Sequence, residues 1–276
     1  MRTQEKHATR FRSIQTSLLF VIVPAVIISM AVLSLMGYLS SKAIIQTSAG
    51  NEMSQCLSVA MGSIEMSLSN NRMVAETMAR GVEAIQRQAV KGDQTASDWD
   101  AAAYQEILTS FVGSNPETFG GGIWFEPYQY RPEQRYFSPY CMRQNGAVTY
   151  VDNYSLGEGV YYTDQDWYTN AANTTQKSVW SAPYYDEFAQ ISMVTSSAPI
   201  YDETGRLLGV ATADIDLTQM QQMVLSLDVV ANGRAFLIDD TGVYIADEDS
   251  EKLLSANILE DDNPSFAAVS YTHLRA

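Results

Sequence analysis

Between Leu18 and Leu39 the chain carries no charged residue: LLFVIVPAVIISMAVLSLMGYL. At a helical rise of ~1.5 Å per residue such a run reaches across a hydrocarbon layer ~30 Å thick, so it reads as a transmembrane helix. A cleaved signal peptide is the rival reading. Its apolar region would span only ~7–15 residues and end at a small-x-small site, and neither the length of this run nor the following SSKA fits that pattern. Pro24 is tolerated in a membrane helix and is expected to bend it.

Charge orients the span. The basic residues Arg2, Lys6, Arg10, Arg12 and Lys42 flank the run against Glu5 alone, whereas the whole chain carries a net charge of −15. The positive-inside rule therefore places Met1 in the cytoplasm and everything beyond Lys42 outside the cell membrane. That outer part is strongly acidic, which argues against nucleic acid as a partner because phosphate neutralisation needs a basic face.

From Ser41 to Lys91 there is no proline, and Met53, Leu57, Ala60, Ile64, Leu68, Val74, Met78, Val82 and Ile85 fall mostly three or four apart. This pattern predicts one long stalk helix leaving the membrane. Its apolar stripe is fit either to dock on the following domain or to pair with a second copy, and a homodimer through this N-terminal helix is the expected assembly. A second helix is expected over 98–112, capped by Ser97 and Asp100. The texture then changes to short aromatic strands: GIWFEP, QRYFSPY and AVTYVDNY, the last following the hairpin signal Asn145-Gly146. Two longer strands, QISMVTSSAPIYD and RLLGVATADIDL, are joined by an acidic turn closed by Gly205, and Thr218–Leu227 reads as a short helix with Asp216 at its cap. Strand, acidic turn and strand recur around Asp239–Gly242, a weak echo of the first module.

Catalysis is poorly served. The paired acids Asp164/Asp166, Asp186/Glu187 and Asp214/Asp216 are candidates for carboxylate chemistry, but the only histidines are His7 and His273, at the two ends of the chain. That removes the commonest zinc ligand and general base, and with them Ser-His-Asp and Cys-His arrangements. The triple glycine at 120–122 lacks the Lys-Ser/Thr of a phosphate-binding loop. Cys56 and Cys141 are too few for a disulfide framework. No enzyme activity, metal or cofactor is expected of the chain; a surface-anchored enzyme using paired carboxylates on sugars or peptides is the alternative reading.

The aromatic residues say more. Tyrosines crowd the segment 128–185 with Trp167 and Trp180, and Tyr161, Tyr162, Trp167, Tyr168 and Tyr184 neighbour acids in loop and helix-entry positions. Half-buried strands account for about half of them. Aromatic faces beside carboxylates also form a cage for a small cation.

The order DWYTNA, VWSAPYYD, PIYDETGRLLGVATADIDL resembles the extracytoplasmic double Cache sensor domain of bacterial chemoreceptors, sensor kinases and transmembrane cyclases or phosphodiesterases. The resemblance implies an α+β fold: a membrane helix, a stalk helix, then two PAS-like antiparallel sheet modules with ligand in the membrane-distal one. It suggests the division 1–17 cytoplasmic N-terminus, 18–39 transmembrane helix, 40–91 stalk, 92–229 distal ligand-binding module, and 230–276 the start of a membrane-proximal module cut short by the chain end. It implies ligand-binding roles for Trp167, Tyr168, Tyr184, Asp186 and Asp214, with Tyr162 and Gln165 completing the set. Members that bind α-amino acids hold the carboxylate with an Arg where this chain has Gln165. Arg offers a planar charged fork and Gln only neutral amide bonds, a difference of several kcal/mol or about a thousandfold in affinity. The expected ligand is therefore a small cationic amine or amino-acid-like molecule lacking an α-carboxylate, unless Arg135 or Arg143 substitutes.

Overall fold

The computed structural model describes residues 14–91, 101–151, 154, 159–227 and 234–260. The chain divides into two units, Met1–Gln55 and Cys56–Ala276. Helix α1 (Ile14–Lys91) contributes to both and contains Pro24. In the first unit it is long and apolar enough to cross a membrane, with mean hydropathy 2.8 in its most apolar window and none of that window buried. Side chains such as Phe20 and Leu33 stand about two-thirds exposed. That is the environment lipid would fill, since a helix apolar all round has no use for water.

The second unit is built on a seven-stranded antiparallel sheet. Its strands are β1 (Gly120–Phe125), β2 (Tyr140–Gln144), β3 (Ala147–Val151), β4 (Val179–Trp180), β5 (Tyr184–Asp186), β6 (Ile191–Tyr201) and β7 (Leu207–Asp216). They run in the order β3-β2-β1-β7-β6-β4, with β5 also paired to β6. The β2–β3 turn is Asn145-Gly146, both at positive φ (50° and 80°), and Gln144 pairs with Ala147, as the hairpin signal predicts. QRYFSPY enters the sheet only at its last residue. Pro139 has no N–H to give a ladder, and the segment instead lies along β1, with the Phe137 and Pro139 carbonyls accepting from the N–H groups of Phe125 and Ile123.

Each face of the sheet has its own core. On one face lie Val74, Met78 and Val82 of α1 and Tyr104, Leu108 and Val112 of α2 (Ala101–Ser114), packed against Ile123, Ala211 and Ala213. The stripe Val74–Val82 thus docks on the module that follows it. Polar bonds fix the helix in register: Thr118 Oγ1 donates to Asn71 Oδ1 (2.9 Å), Ser178 Oγ to Glu76 (2.7 Å), and Arg80 to both Glu83 and the Pro199 carbonyl. The opposite face is aromatic and is covered by α3 (Asp166–Ala172).

Helix α4 (Leu217–Leu225) starts where the sequence places its cap, the Asp216 carboxylate accepting from Thr218 N at 2.8 Å. Beyond it, β8 (Leu237–Ile238) and β9 (Tyr244–Ala246) pair antiparallel, and Ile245 packs with Leu217 and Met220. The echo between the two acidic turns holds at the atomic level. Asp202 Oδ1 accepts from Thr204 N, Thr204 Oγ1 and Arg206 N, and Asp239 Oδ1 accepts from Thr241 N, Thr241 Oγ1 and Val243 N. Each turn closes on a glycine in the left-handed region, Gly205 and Gly242. The capping pair Ser97/Asp100 and the chain beyond Glu260 lie outside the described residues.

Candidate ligand-binding site

A small cavity opens on the aromatic face, between the sheet and α3. Strand register assembles its floor. Gly120 pairs with Asp214 and Asp214 with Thr195, while in the next row Gly122 pairs with Thr212. Side chains alternate along a strand, so Thr212 and Asp214 of β7 and Thr195 and Met193 of β6 share the aromatic face, while Ala211 and Ala213 turn toward α1 and α2. The walls are Trp124, Tyr140, Tyr154, Trp167 and Tyr184, and Asp186 closes one side.

The glycines of β1 make room for these rings. A Cβ on Gly120 would stand 2.1 Å from the Tyr140 hydroxyl, and one on Gly122 would stand 2.7 Å from the Trp124 indole. The triple glycine therefore serves aromatic packing: Tyr140 lies across β1 to reach Asp214, and Trp124 folds back over its own strand.

Two carboxylates are buried in this one cavity, Asp186 and Asp214, at 6% and 3% exposure. Asp214 accepts from Tyr140 Oη (2.7 Å) and Thr195 Oγ1 (2.7 Å), and Tyr184 Oη lies 2.8 Å from that threonine hydroxyl. Because Thr195 gives its proton to Asp214, Tyr184 is the donor in their pair. Asp186 accepts from Tyr154 Oη (2.5 Å) and from the backbone N–H of Ala189 (2.7 Å), so it also braces the turn between β5 and β6. Among the described residues no arginine, lysine or histidine lines the cavity. Burial pushes the Asp214 carboxyl up to about 7, against the two hydroxyl bonds that favour its ionised form, with the Asp186 charge adding to the rise. Burial likewise holds the Tyr140, Tyr154 and Tyr184 phenols above their ordinary value, reinforced by the nearby carboxylates.

Of the seven residues singled out from the sequence, four line the cavity: Trp167, Tyr184, Asp186 and Asp214. The other three stand apart from its lining. Tyr162 is buried among Trp124, Tyr136 and Tyr168, and its hydroxyl donates to the Phe125 carbonyl at 2.5 Å. Tyr168 donates to Glu126 at 2.7 Å. Gln165 occupies the N-cap position of α3 without making a side-chain cap bond, and its amide points back toward the Tyr161 carbonyl at 3.4 Å. Neither arginine takes a place in the lining: Arg143 donates to the Val112, Asn115 and Thr118 carbonyls at the end of α2, and Arg135 stacks over the Tyr136 and Tyr161 rings.

The space itself is about 10 Å³, room for roughly one water molecule. A ligand larger than that needs the ring walls to part. Phe188, in the turn that Asp186 braces, packs on the wall residue Tyr154 at 4.4 Å between ring centroids from outside the lining, and at 40% exposure it is more accessible than the lining rings.

Comparison with known proteins agrees with this architecture. The model of the first PDC sensor domain of methyl-accepting chemotaxis protein-like receptors matches residues 104–222. The chain is similar to the methyl-accepting chemotaxis protein McpA of Pseudomonas putida KT2440, 24% identical over 208 residues, 73% of this chain and 31% of McpA. The chain spans less than a third of the length of the curated relatives it matches. In fold it resembles the ligand-binding domain of the Campylobacter jejuni chemoreceptor Tlp3 in complex with 4-methylisoleucine (TM-score 0.55, 17% identity, 78% of this chain and 75% of that one). It also resembles the ligand-binding domain of the Pseudomonas aeruginosa PAO1 amino acid chemoreceptor PctC in complex with GABA (TM-score 0.53, 19% identity, 76% and 80%). Residues 104–222 thus match the PDC sensor-domain model, and the fold is that of the extracellular ligand-binding domains of chemoreceptors.

Proposed function

We propose that the cavity binds a small ligand carrying an ammonium group and no α-carboxylate, and that the chain is the sensory part of a membrane receptor with Met1 in the cytoplasm and the PDC module outside. One observation carries the ligand class: two buried carboxylates, Asp186 and Asp214, share a ring-walled cavity with no cationic side chain among the described lining residues. Buried negative charge without a counter-charge is costly, and an incoming ammonium group supplies the counter-charge together with attraction to the faces of Trp124, Trp167 and the tyrosines. The ligands named for Tlp3 and PctC, 4-methylisoleucine and GABA, also carry ammonium groups. An α-carboxylate would meet Asp186 and Asp214 with no arginine among the described lining residues to offset them.

A ligand that parts the ring walls favours one of two states of the module, and signalling follows from that difference in affinity. The stalk helix is bonded to the sheet through Asn71, Glu76 and Arg80, so movement of β6 or of the segment before β4 reaches α1 directly. On the face of α1 away from the sheet, Val59, Met66 and Met73 recur every seven residues and stand exposed, the spacing of a coiled-coil seam; this is where a second copy would pair. A thermal-shift screen tests the ligand class. Ethanolamine and methylammonium are expected to raise the melting temperature and L-alanine and L-valine to leave it unchanged; stabilisation by the amino acids and not by the amines overturns the proposal.

A further inference from the structure

We propose that the ligand's ammonium group enters this cavity in exchange for a proton held on Asp214, so that the site reads amine concentration and external pH together. The inference rests on the amine reading above and adds the fate of the proton. Geometry supplies the argument. Asp214 is buried in the middle of the sheet, and among the described residues its carboxylate is bonded to the neutral hydroxyls of Tyr140 and Thr195. The ionisable groups facing it are Tyr140 from β2, Tyr154 from the segment after β3, and Tyr184 and Asp186 from β5. α3 contributes the Trp167 ring and β1 the Trp124 ring. Among the described residues every ionisable neighbour is therefore an acid, and none provides a positive charge.

In the closed cavity, two carboxylates with only neutral partners are relieved most readily by taking up a proton, and the elevated titration of Asp214 near pH 7 agrees with that. The phenols are held too high to compete for deprotonation. When R–NH3⁺ arrives, the protonated Asp214 gives its proton to solvent and the carboxylate left behind pairs with the ammonium. Charge in the cavity is the same before and after: one proton leaves and one cation enters.

The test is a calorimetric titration of the full chain in detergent micelles with ethanolamine, whose amine stays protonated throughout, at pH 6, 7 and 8. Each titration is run in two buffers of different ionisation enthalpy, which yields the protons released per ligand bound. From a free-state value of about 7, roughly 0.9, 0.5 and 0.1 protons are expected, with affinity about tenfold weaker at pH 6 than at pH 8. Asp214→Asn should abolish the release. Tyr140→Phe is a second probe should the first variant not fold: it removes one donor from the carboxylate and should move the midpoint of the pH dependence upward. Ethanolamine binding with no proton release and the same affinity at all three pH values overturns the exchange while leaving the amine reading standing, as does an unmoved midpoint in Tyr140→Phe. No ethanolamine binding at any pH overturns both.

Discussion

Asp214 shows most clearly what one residue contributes. In a predominantly apolar strand its charge calls for a partner, and the structure supplies two side-chain donors, Tyr140 and Thr195. Tyr140 was not legible in the sequence, because it sits on a distant strand that only the β2-β1-β7 order brings near, and the same holds for Trp124 and Tyr154. Thr195 and Met193 lie across the predicted β6–β7 hairpin, where a register shift at Ile200/Tyr201 hides the pairing from a count out of the turn. The available signals were the alternation of Thr212 with Asp214 and of Met193 with Thr195, and the glycines opposite them. The raised carboxyl of Asp214 has a sign for stability: the folded state holds its proton from about pH 4 to about pH 7 while the unfolded chain has lost it. Stability is therefore greatest below the unfolded value and declines as pH rises through that window, by up to ~1.4 kcal/mol per pH unit. Chemical denaturation at pH 5 and pH 8 should show a smaller loss of stability in Asp214→Asn than in the parent. Tyr162→Phe, which removes a hydroxyl bonded to the Phe125 carbonyl outside the cavity, should cost about 1 kcal/mol in stability and leave amine affinity unchanged. Tyr184→Phe, inside the cavity lining, should weaken amine binding.

At the scale of elements, β1 and α1 make the site possible from opposite faces of the sheet. Because rings occupy the space above Gly120 and Gly122, Gly122→Ala should destabilise by about 1–3 kcal/mol and displace Trp124 from the cavity wall, read by denaturation and by tryptophan fluorescence together. The long helix and its stripe were legible from periodicity alone, as were the Asn145-Gly146 hairpin and the Asp216 cap, since each depends on residues adjacent in sequence. The division of the stripe was not: Val74, Met78 and Val82 are sealed against the sheet whereas Leu57 remains 42% exposed, and only the three-dimensional path of the sheet decides which residues it covers. Asn71→Ala removes the partner of the buried Thr118 hydroxyl and is expected to cost about 1–3 kcal/mol.

For the whole molecule, the proposed receptor assigns the apolar helix to the membrane and the acidic, PDC-like module to the sensing end outside the cell. A seam through Val59, Met66 and Met73 predicts that Met66→Glu weakens self-association in detergent, measured by sedimentation equilibrium, without changing amine affinity. A crystal structure of the protein grown with ethanolamine decides whether the cavity is the amine site. The ligand nitrogen is expected within hydrogen-bonding distance of Asp186 or Asp214, with Trp167 and Tyr154 moved apart around it. Ethanolamine bound elsewhere, with the Tyr154–Asp186 and Tyr140–Asp214 bonds intact and the cavity still no larger than one water molecule, would contradict that assignment.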